Sequence, residues 1–162
     1  MPTQTKGNNQ QAIADYSKAI ELDPNDAWAY YNRGNAYSAQ GNYRQAIADY
    51  NKAIELDPND AAAYGNRGLA YAKQGDYQHA IADFNKAMEL GPNDAYAYYN
   101  RGLAYAEQGN YHKAIVDFNK TIELDPKLAA AYNNRGVCYR KLGNTQLANA
   151  DFAKARELGF GE

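Results

Sequence analysis

The chain has 162 residues, enough for one ordinary domain with a core, and a formal net charge of −2 gives it no pull on nucleic acid or an anionic membrane. Hydrophobic residues make up 45%, led by Ala and 16 tyrosines, and the single cysteine, Cys138, excludes an intrachain disulfide. No run approaches the ~18 apolar residues of a bilayer span. The start, Met1 to Lys6, lacks an apolar signal core, so the expectation is a soluble protein, with the cytoplasm favoured.

The elements in chain order obey one step. Residues 1–26 hold a short tail and a lone helix, with Ala12, Tyr16, Ala19 and Pro24 in helical register. Residues 27–60 then hold two helices. Tyr30, Gly34 and Tyr37 share one face of the first, and Ala46, Tyr50 and Ala53 share one face of the second. Gly41 separates them and Pro58 ends the second, because proline lacks an N–H and clashes with the preceding turn. Residues 61–94, 95–128 and 129–162 repeat the arrangement: Pro24, Pro58, Pro92 and Pro126 lie 34 residues apart. So do Gly7, Gly41, Gly75, Gly109 and Gly143, and the triplets Asn32-Arg33-Gly34, Asn66-Arg67-Gly68, Asn100-Arg101-Gly102 and Asn134-Arg135-Gly136.

In each unit the first helix is named A and the second B. Asp26, Asp60 and Asp94 are placed to cap three A helices, and Asn42, Asp76, Asn110 and Asn144 the B helices. Gly34, Gly68, Gly102 and Gly136 lie inside A helices, where glycine costs about 1 kcal/mol against alanine. The spacing predicts that they admit the B helix at Ala46, Ala80, Ala114 and Ala148.

A 34-residue unit with an aromatic, Gly, Tyr, Ala, aromatic, Ala and Pro in fixed order closely resembles the tetratricopeptide repeat. The first unit supplies Tyr30, Gly34, Tyr37, Ala46, Tyr50, Ala53 and Pro58, and the second Tyr64, Gly68, Tyr71, Ala80, Phe84, Ala87 and Pro92. The third has Thr121 at the second alanine place, the fourth stops before a proline, and arginine stands throughout where the family usually has leucine before the glycine. The resemblance implies an all-α fold: antiparallel helix hairpins stacked into a right-handed superhelical solenoid, read here as one domain. Stacking is also what the apolar stripes require, since one hairpin cannot bury its own.

The ends differ. In the last B helix Thr145, Asn149 and Arg156 replace the aromatic and aliphatic residues of the earlier units, which suits a terminal repeat facing water. At the other end residues 7–25 match a B helix whose A helix is missing. Two readings follow: a fragment of a longer array, or homo-association through the open half-repeat.

The resemblance assigns the second face of each A helix to a concave groove that receives a protein or peptide. Mapped here it gives Trp28, Tyr31, Asn32 and Asn35; Asn66, Leu69 and Lys73; Tyr96, Tyr99, Asn100 and Leu103; and Asn134, Arg140 and Lys141. The asparagine row, Asn32, Asn66, Asn100 and Asn134, either pairs with a ligand backbone or bonds locally. Trp28, Tyr31, Tyr96 and Tyr99 either anchor a ligand or pad the interior. Some family members clamp a partner's terminal carboxylates with two asparagines and three cations. Asn35 and Asn66 fit the asparagine places, but Tyr31, Tyr96 and Asn100 stand where the cations belong, so this clamp is not expected. Arg140 and Lys141 could attract an acidic segment. Arg33, Arg67, Arg101 and Arg135 keep step with Asp49, Asp83, Asp117 and Asp151, which predicts ion pairs between helices.

Nothing in the chain points to catalysis. His79 and His112 sit on different B helices without ligand spacing to a cysteine or carboxylate, and no phosphate-cradling loop occurs. The sequence therefore predicts a binding scaffold with no cofactor and no metal.

Overall fold

The computed structural model describes residues 3–161 and, within them, nine α-helices. They are α1 (Thr3–Leu22), α2 (Ala27–Ala39), α3 (Tyr43–Leu56), α4 (Ala61–Lys73), α5 (Tyr77–Leu90), α6 (Ala95–Glu107), α7 (Tyr111–Leu124), α8 (Ala129–Lys141) and α9 (Thr145–Glu157). They fall into two compact units that part between Leu90 and Gly91. The first holds α1 and the hairpins α2–α3 and α4–α5; the second holds the hairpins α6–α7 and α8–α9.

The parting coincides with a difference in turn chemistry. After α1, α3 and α7 an aspartate side chain accepts the N–H two residues on: Asp23 from Asn25, Asp57 from Asn59, and Asp125 from Lys127, at 3.0–3.1 Å. After α5 the same place holds Gly91, which has no side chain to brace the turn.

Each hairpin is closed by a glycine in the left-handed region. Gly41 has φ +79° and lets the Asn42 N–H reach back to the Tyr37 carbonyl at 2.9 Å, satisfying a helix-end acceptor. Asp26, Asp60 and Asp94 cap α2, α4 and α6 as expected. The B helices divide. Asp76 accepts the His79 N–H and Asn144 the Leu147 N–H, both at 3.2 Å. Asn42 and Asn110 do not cap: their amides donate instead to Gln40 and Gln108. An asparagine can be diverted by a glutamine two residues earlier. The Asp76 side chain has no N–H to donate, and the Leu142 side chain offers Asn144 no acceptor.

The hairpin interiors rest on one aromatic ring each. Tyr50, Phe84 and Phe118 are at most 1% exposed. A Cβ built on Gly34, Gly68, Gly102 or Gly136 would come within 2.7–2.9 Å of the facing ring, so the glycines make room for rings first. The alanines expected there come second: the Ala80 and Ala148 carbonyls lie 3.2 Å from the Cβ positions of Gly68 and Gly136.

The predicted ion pairs form in all four hairpins. Arg33 donates from Nε and Nη2 to both Asp49 oxygens at 2.8 and 2.7 Å, and Arg67, Arg101 and Arg135 repeat this on Asp83, Asp117 and Asp151. The third arm reaches the preceding B helix: Arg33 Nη1 donates to Ser17 Oγ, Arg67 Nη1 to Asn51 Oδ1 and Arg135 Nη1 to Asn119 Oδ1. Each such arginine therefore ties its own hairpin and joins it to the helix before. Among the described residues no buried side-chain nitrogen or oxygen lacks a partner.

Two further expectations meet the coordinates at the ends. Thr145, Asn149 and Arg156 are all exposed. Gly7, in step with the turn glycines, lies instead inside α1, which begins at Thr3.

Candidate functional site

In the first unit, α2, α3 and α4 enclose a cleft of about 380 Å³ lined by Asn35, Ser38, Ala39, Tyr43, Tyr50, Asn66, Leu69 and Lys73. Its polar floor is one connected set. The Tyr50 hydroxyl donates to Asn35 Oδ1 at 2.8 Å, and Asn66 Nδ2 donates to the same oxygen at 2.9 Å and to the Tyr31 hydroxyl at 3.0 Å. Burial pushes the Tyr50 phenol above its ordinary pKa, so it stays a neutral donor. With its oxygen doubly engaged, Asn35 turns an NH2 group to other use, and Asn66 keeps its Oδ1. These bonds leave the Asn35 NH2 and the Asn66 Oδ1 unspent on two fixed amides that line the cleft together with Ala39, Leu69 and Lys73.

The remaining A-helix residues are placed differently. Tyr31 packs against Ala46, Tyr50 and Ala70. Asn32 donates to the Trp28 carbonyl within its own helix at 2.8 Å. Trp28 is 64% exposed and meets Tyr16 of α1 edge-on, with ring centroids 5.6 Å apart.

In the second unit Tyr99 and Leu103 pack against Ala114, Phe118 and Cys138, and Asn134 Nδ2 donates to the Tyr99 hydroxyl at 2.9 Å. Tyr99 and Asn134 therefore join successive A helices just as Tyr31 and Asn66 do. Burial raises the Tyr99 pKa, opposed by the Asn134 bond. Tyr96 is 59% exposed at the start of α6, and Asn100 lies partly exposed one turn on. Arg140 lies over the Phe152 ring, 5.3 Å from its centroid. It lines a second cleft of about 450 Å³ with Asn133, Val137, Asn149, Phe152, Arg156 and Phe160. Lys141 is exposed and does not line this cleft.

Helical-wheel reasoning on the A helices missed Tyr43 and Tyr50, which belong to a B helix. A signal was present: Tyr50 stands where the other units have Phe84, Phe118 and Phe152, and Asn35 where they have Leu69, Leu103 and Val137. The extra hydroxyl and the extra amide arrive in the same unit because a buried phenol needs a partner.

Among the described residues no cluster of His, Cys, Asp or Glu could hold a metal, and no helix is long and apolar enough to cross a membrane.

Three models described as tetratricopeptide or TPR repeats match the chain: one over residues 27–60 and 95–128, a second over 5–41 and 68–109, a third over 49–82 and 118–156. The chain is similar to a crystal structure of MamA, with 34% identity over 96% of this chain and 91% of that one, at a TM-score of 0.91. It is similar to YrrB, a TPR protein described as having an unusual peptide-binding site, at 29% identity over 96% and 80% of the two chains, TM-score 0.83. It is also similar to the first TPR of Spaghetti (RPAP3) bound to the HSP90 peptide SRMEEVD, at 30% identity over 72% and 93%, TM-score 0.71. No curated protein sequence matches.

Proposed function

The chain belongs to the tetratricopeptide repeat family, and on that premise we propose that it is a protein-interaction scaffold whose first unit holds an extended peptide in the Asn35–Asn66 cleft. The observation that carries this reading is the amide pair. A single peptide group presents one carbonyl and one N–H, and the cleft offers Asn35 Nδ2 and Asn66 Oδ1 as the complementary donor and acceptor. Main-chain pairing of this kind holds many sequences; side-chain pockets then select among them. Here Ala39, Leu69 and Tyr43 favour a small apolar side chain, and Lys73 favours an acidic neighbour. The cleft lies at the small end of ligand-site volumes, which suits one or two residues of a chain rather than a bulky cofactor.

Likeness to YrrB and to the RPAP3 domain with its HSP90 peptide supports peptide binding in general. It does not extend to a clamp for two carboxylates, because Tyr31, Tyr96 and Asn100 occupy the places of its cations.

The test is selection of displayed peptides against the whole chain, followed by affinity measurement on variants. Binders should weaken at least tenfold with Asn35→Ala and with Lys73→Glu, the latter only for peptides carrying an acidic residue. Binders indifferent to both substitutions would overturn the assignment of this cleft.

A further inference from the structure

A third cleft, of about 480 Å³, opens where α7 meets the end of α8 and the turn into α9, lined by His112, Ile115, Val116, Tyr139, Leu142 and Asn144. Three of these residues depart from the repeat. Val116 stands where earlier units have Ala48 and Ala82, Leu142 where they have Gln40, Gln74 and Gln108, and His112 where they have Arg44 and Gln78. Val116 is 65% exposed and Leu142 40%. Packing does not call for them: at the α3–α4 junction Ala48 and Gln74 hold the same places and are exposed too. The α7–α8 junction has α6 before it and α9 after it, as α3–α4 has α2 and α5, so its exposure belongs to the repeat and not to an end of the chain. Two aliphatic side chains kept in water beside one cleft differ from singly scattered ones and mark a contact surface.

Charge specifies the occupant. Residues 126–150, which hold α8, its flanking turns and the start of α9, carry Lys127, Arg135, Arg140 and Lys141 and no aspartate or glutamate. The matching spans of the earlier units are close to balanced: Arg33 and Arg44 against Asp26, Arg67 and Lys73 against Asp60 and Asp76, Arg101 and Lys113 against Asp94 and Glu107. Among the described residues Lys127, Arg140 and Lys141 form no ion pair. The cleft itself is lined by no acid, and its polar groups are donors. Asn144 Oδ1 accepts the Leu147 N–H at 3.2 Å, which leaves its NH2 to donate, and the His112 ring, which carries an N–H in either charge state, has no partner among the described residues. We propose that this cleft docks an acidic segment of a partner protein. The segment seats a large apolar side chain against Val116 and Leu142 and turns an adjacent carboxylate to His112 and the Asn144 amide. The unpaired cations of this part of the chain steer such a segment to it and speed its arrival. The site is lined by none of the residues of the Asn35–Asn66 cleft and does not rest on it.

The repeat supplies its own control. Val116→Ala with Leu142→Gln restores the pair that the α3–α4 junction already carries in this fold. Random displayed peptides are selected on the full chain and depleted on this double variant. The survivors should carry a large apolar residue next to an aspartate or glutamate. Made synthetically, they should bind the double variant at least tenfold more weakly and bind Asn35→Ala as tightly as the parent chain. His112→Glu, which leaves both aliphatic side chains in place, should weaken them as much, with circular dichroism unchanged. Arg140→Ala with Lys141→Ala should slow their association severalfold at low salt and leave it unchanged at high salt. No surviving peptide, survivors without an acidic residue, or binding indifferent to both cleft variants overturns the proposal. So does a dimer in sedimentation that Val116→Ala with Leu142→Gln dissolves, because the cleft would then take a second copy of this chain.

Discussion

Helix α4 contains two glycines that should respond to the same substitution with opposite sign. Gly65 faces open space, with nothing within 4 Å of a built Cβ, whereas a Cβ on Gly68 would meet Phe84 at 2.9 and 3.1 Å and the Ala80 carbonyl at 3.2 Å. Alanine gains about 1 kcal/mol of helix propensity over glycine at either place. At Gly65 that gain stands alone, so Gly65→Ala should stabilise the chain by roughly 0.5–1 kcal/mol. At Gly68 the added carbon must move a ring that is 1% exposed or a helix backbone, and overpacking of this kind costs about 1–3 kcal/mol. Gly68→Ala should therefore be destabilising by roughly 0–2 kcal/mol. Gly68→Leu adds three more carbons and drives Phe84 from its site, forfeiting part of the about 1.5–3 kcal/mol of a buried aromatic, for a net loss of roughly 2–5 kcal/mol. Thermal melts read by circular dichroism suffice, at roughly 2–4 °C per kcal/mol for a chain of this size. Phe84→Ala in the Gly68→Leu background should recover part of the loss. A Gly68→Ala chain that melts as high as Gly65→Ala would refute the ring contact as the reason for this glycine.

Three other outcomes follow from the coordinates. Asp83→Ala leaves the Arg67 guanidinium without its bidentate partner and should cost about 2–4 kcal/mol, discounted from a fully buried pair because the arginine keeps some solvent; Arg67→Met with Asp83→Leu should lose less than either single change in urea denaturation. Burial pushes the Cys138 thiol up to about 11. Folding therefore holds a proton that the unfolded chain releases above its ordinary range near ~8.5, so stability from this group is full at pH 7 and falls as pH climbs towards 11. The urea midpoint of the chain minus that of Cys138→Ala, at pH 8 and pH 10.5, isolates the effect from the tyrosines, and thiol reagents should label the folded chain far more slowly than the unfolded one. Leu128 occupies the cap place that Asp26, Asp60 and Asp94 fill and makes no side-chain cap; Leu128→Asp should raise stability by about 1 kcal/mol, read as a higher urea midpoint.

Much of the fold was legible because identical spacing forces identical contacts. The step of 34 residues placed every hairpin, and the shared step of arginine and aspartate announced the bridges before any distance was known. What the spacing could not convey is competition between neighbours. Asn42 and Asn144 occupy the same repeat place, yet only Asn144 caps, because Gln40 offers an acceptor where Leu142 does not. The wheel likewise gives the angle of a side chain about its own helix and says nothing of the next helix. The wheel places Tyr31 and Tyr99 on the groove face without showing what their rings and hydroxyls meet. Their partly buried rings pack against core residues and their hydroxyls are held by Asn66 and Asn134, a whole repeat further on. The asparagine row divides along the same line. Asn66 and Asn134 bond to tyrosines of the preceding A helix, while Asn32 turns to its own backbone.

In a chain of near-identical units, the departures are more informative than the consensus. The consensus positions solve one packing problem again and again, so they carry little that is particular to this protein. Asn35, Ser38 and Tyr50 depart together, and the second unit answers with Leu103, Ala106 and Phe118, an apolar set of similar shape. Packing alone would accept the apolar set in both units, as α6 and α7 demonstrate. The polar set demands a bond for a buried hydroxyl and immobilises an amide to supply it. Stability does not require that arrangement. A surface that must present polar groups at fixed positions does, and this reason, more than the family likeness, is the ground for proposing that the first unit holds a ligand.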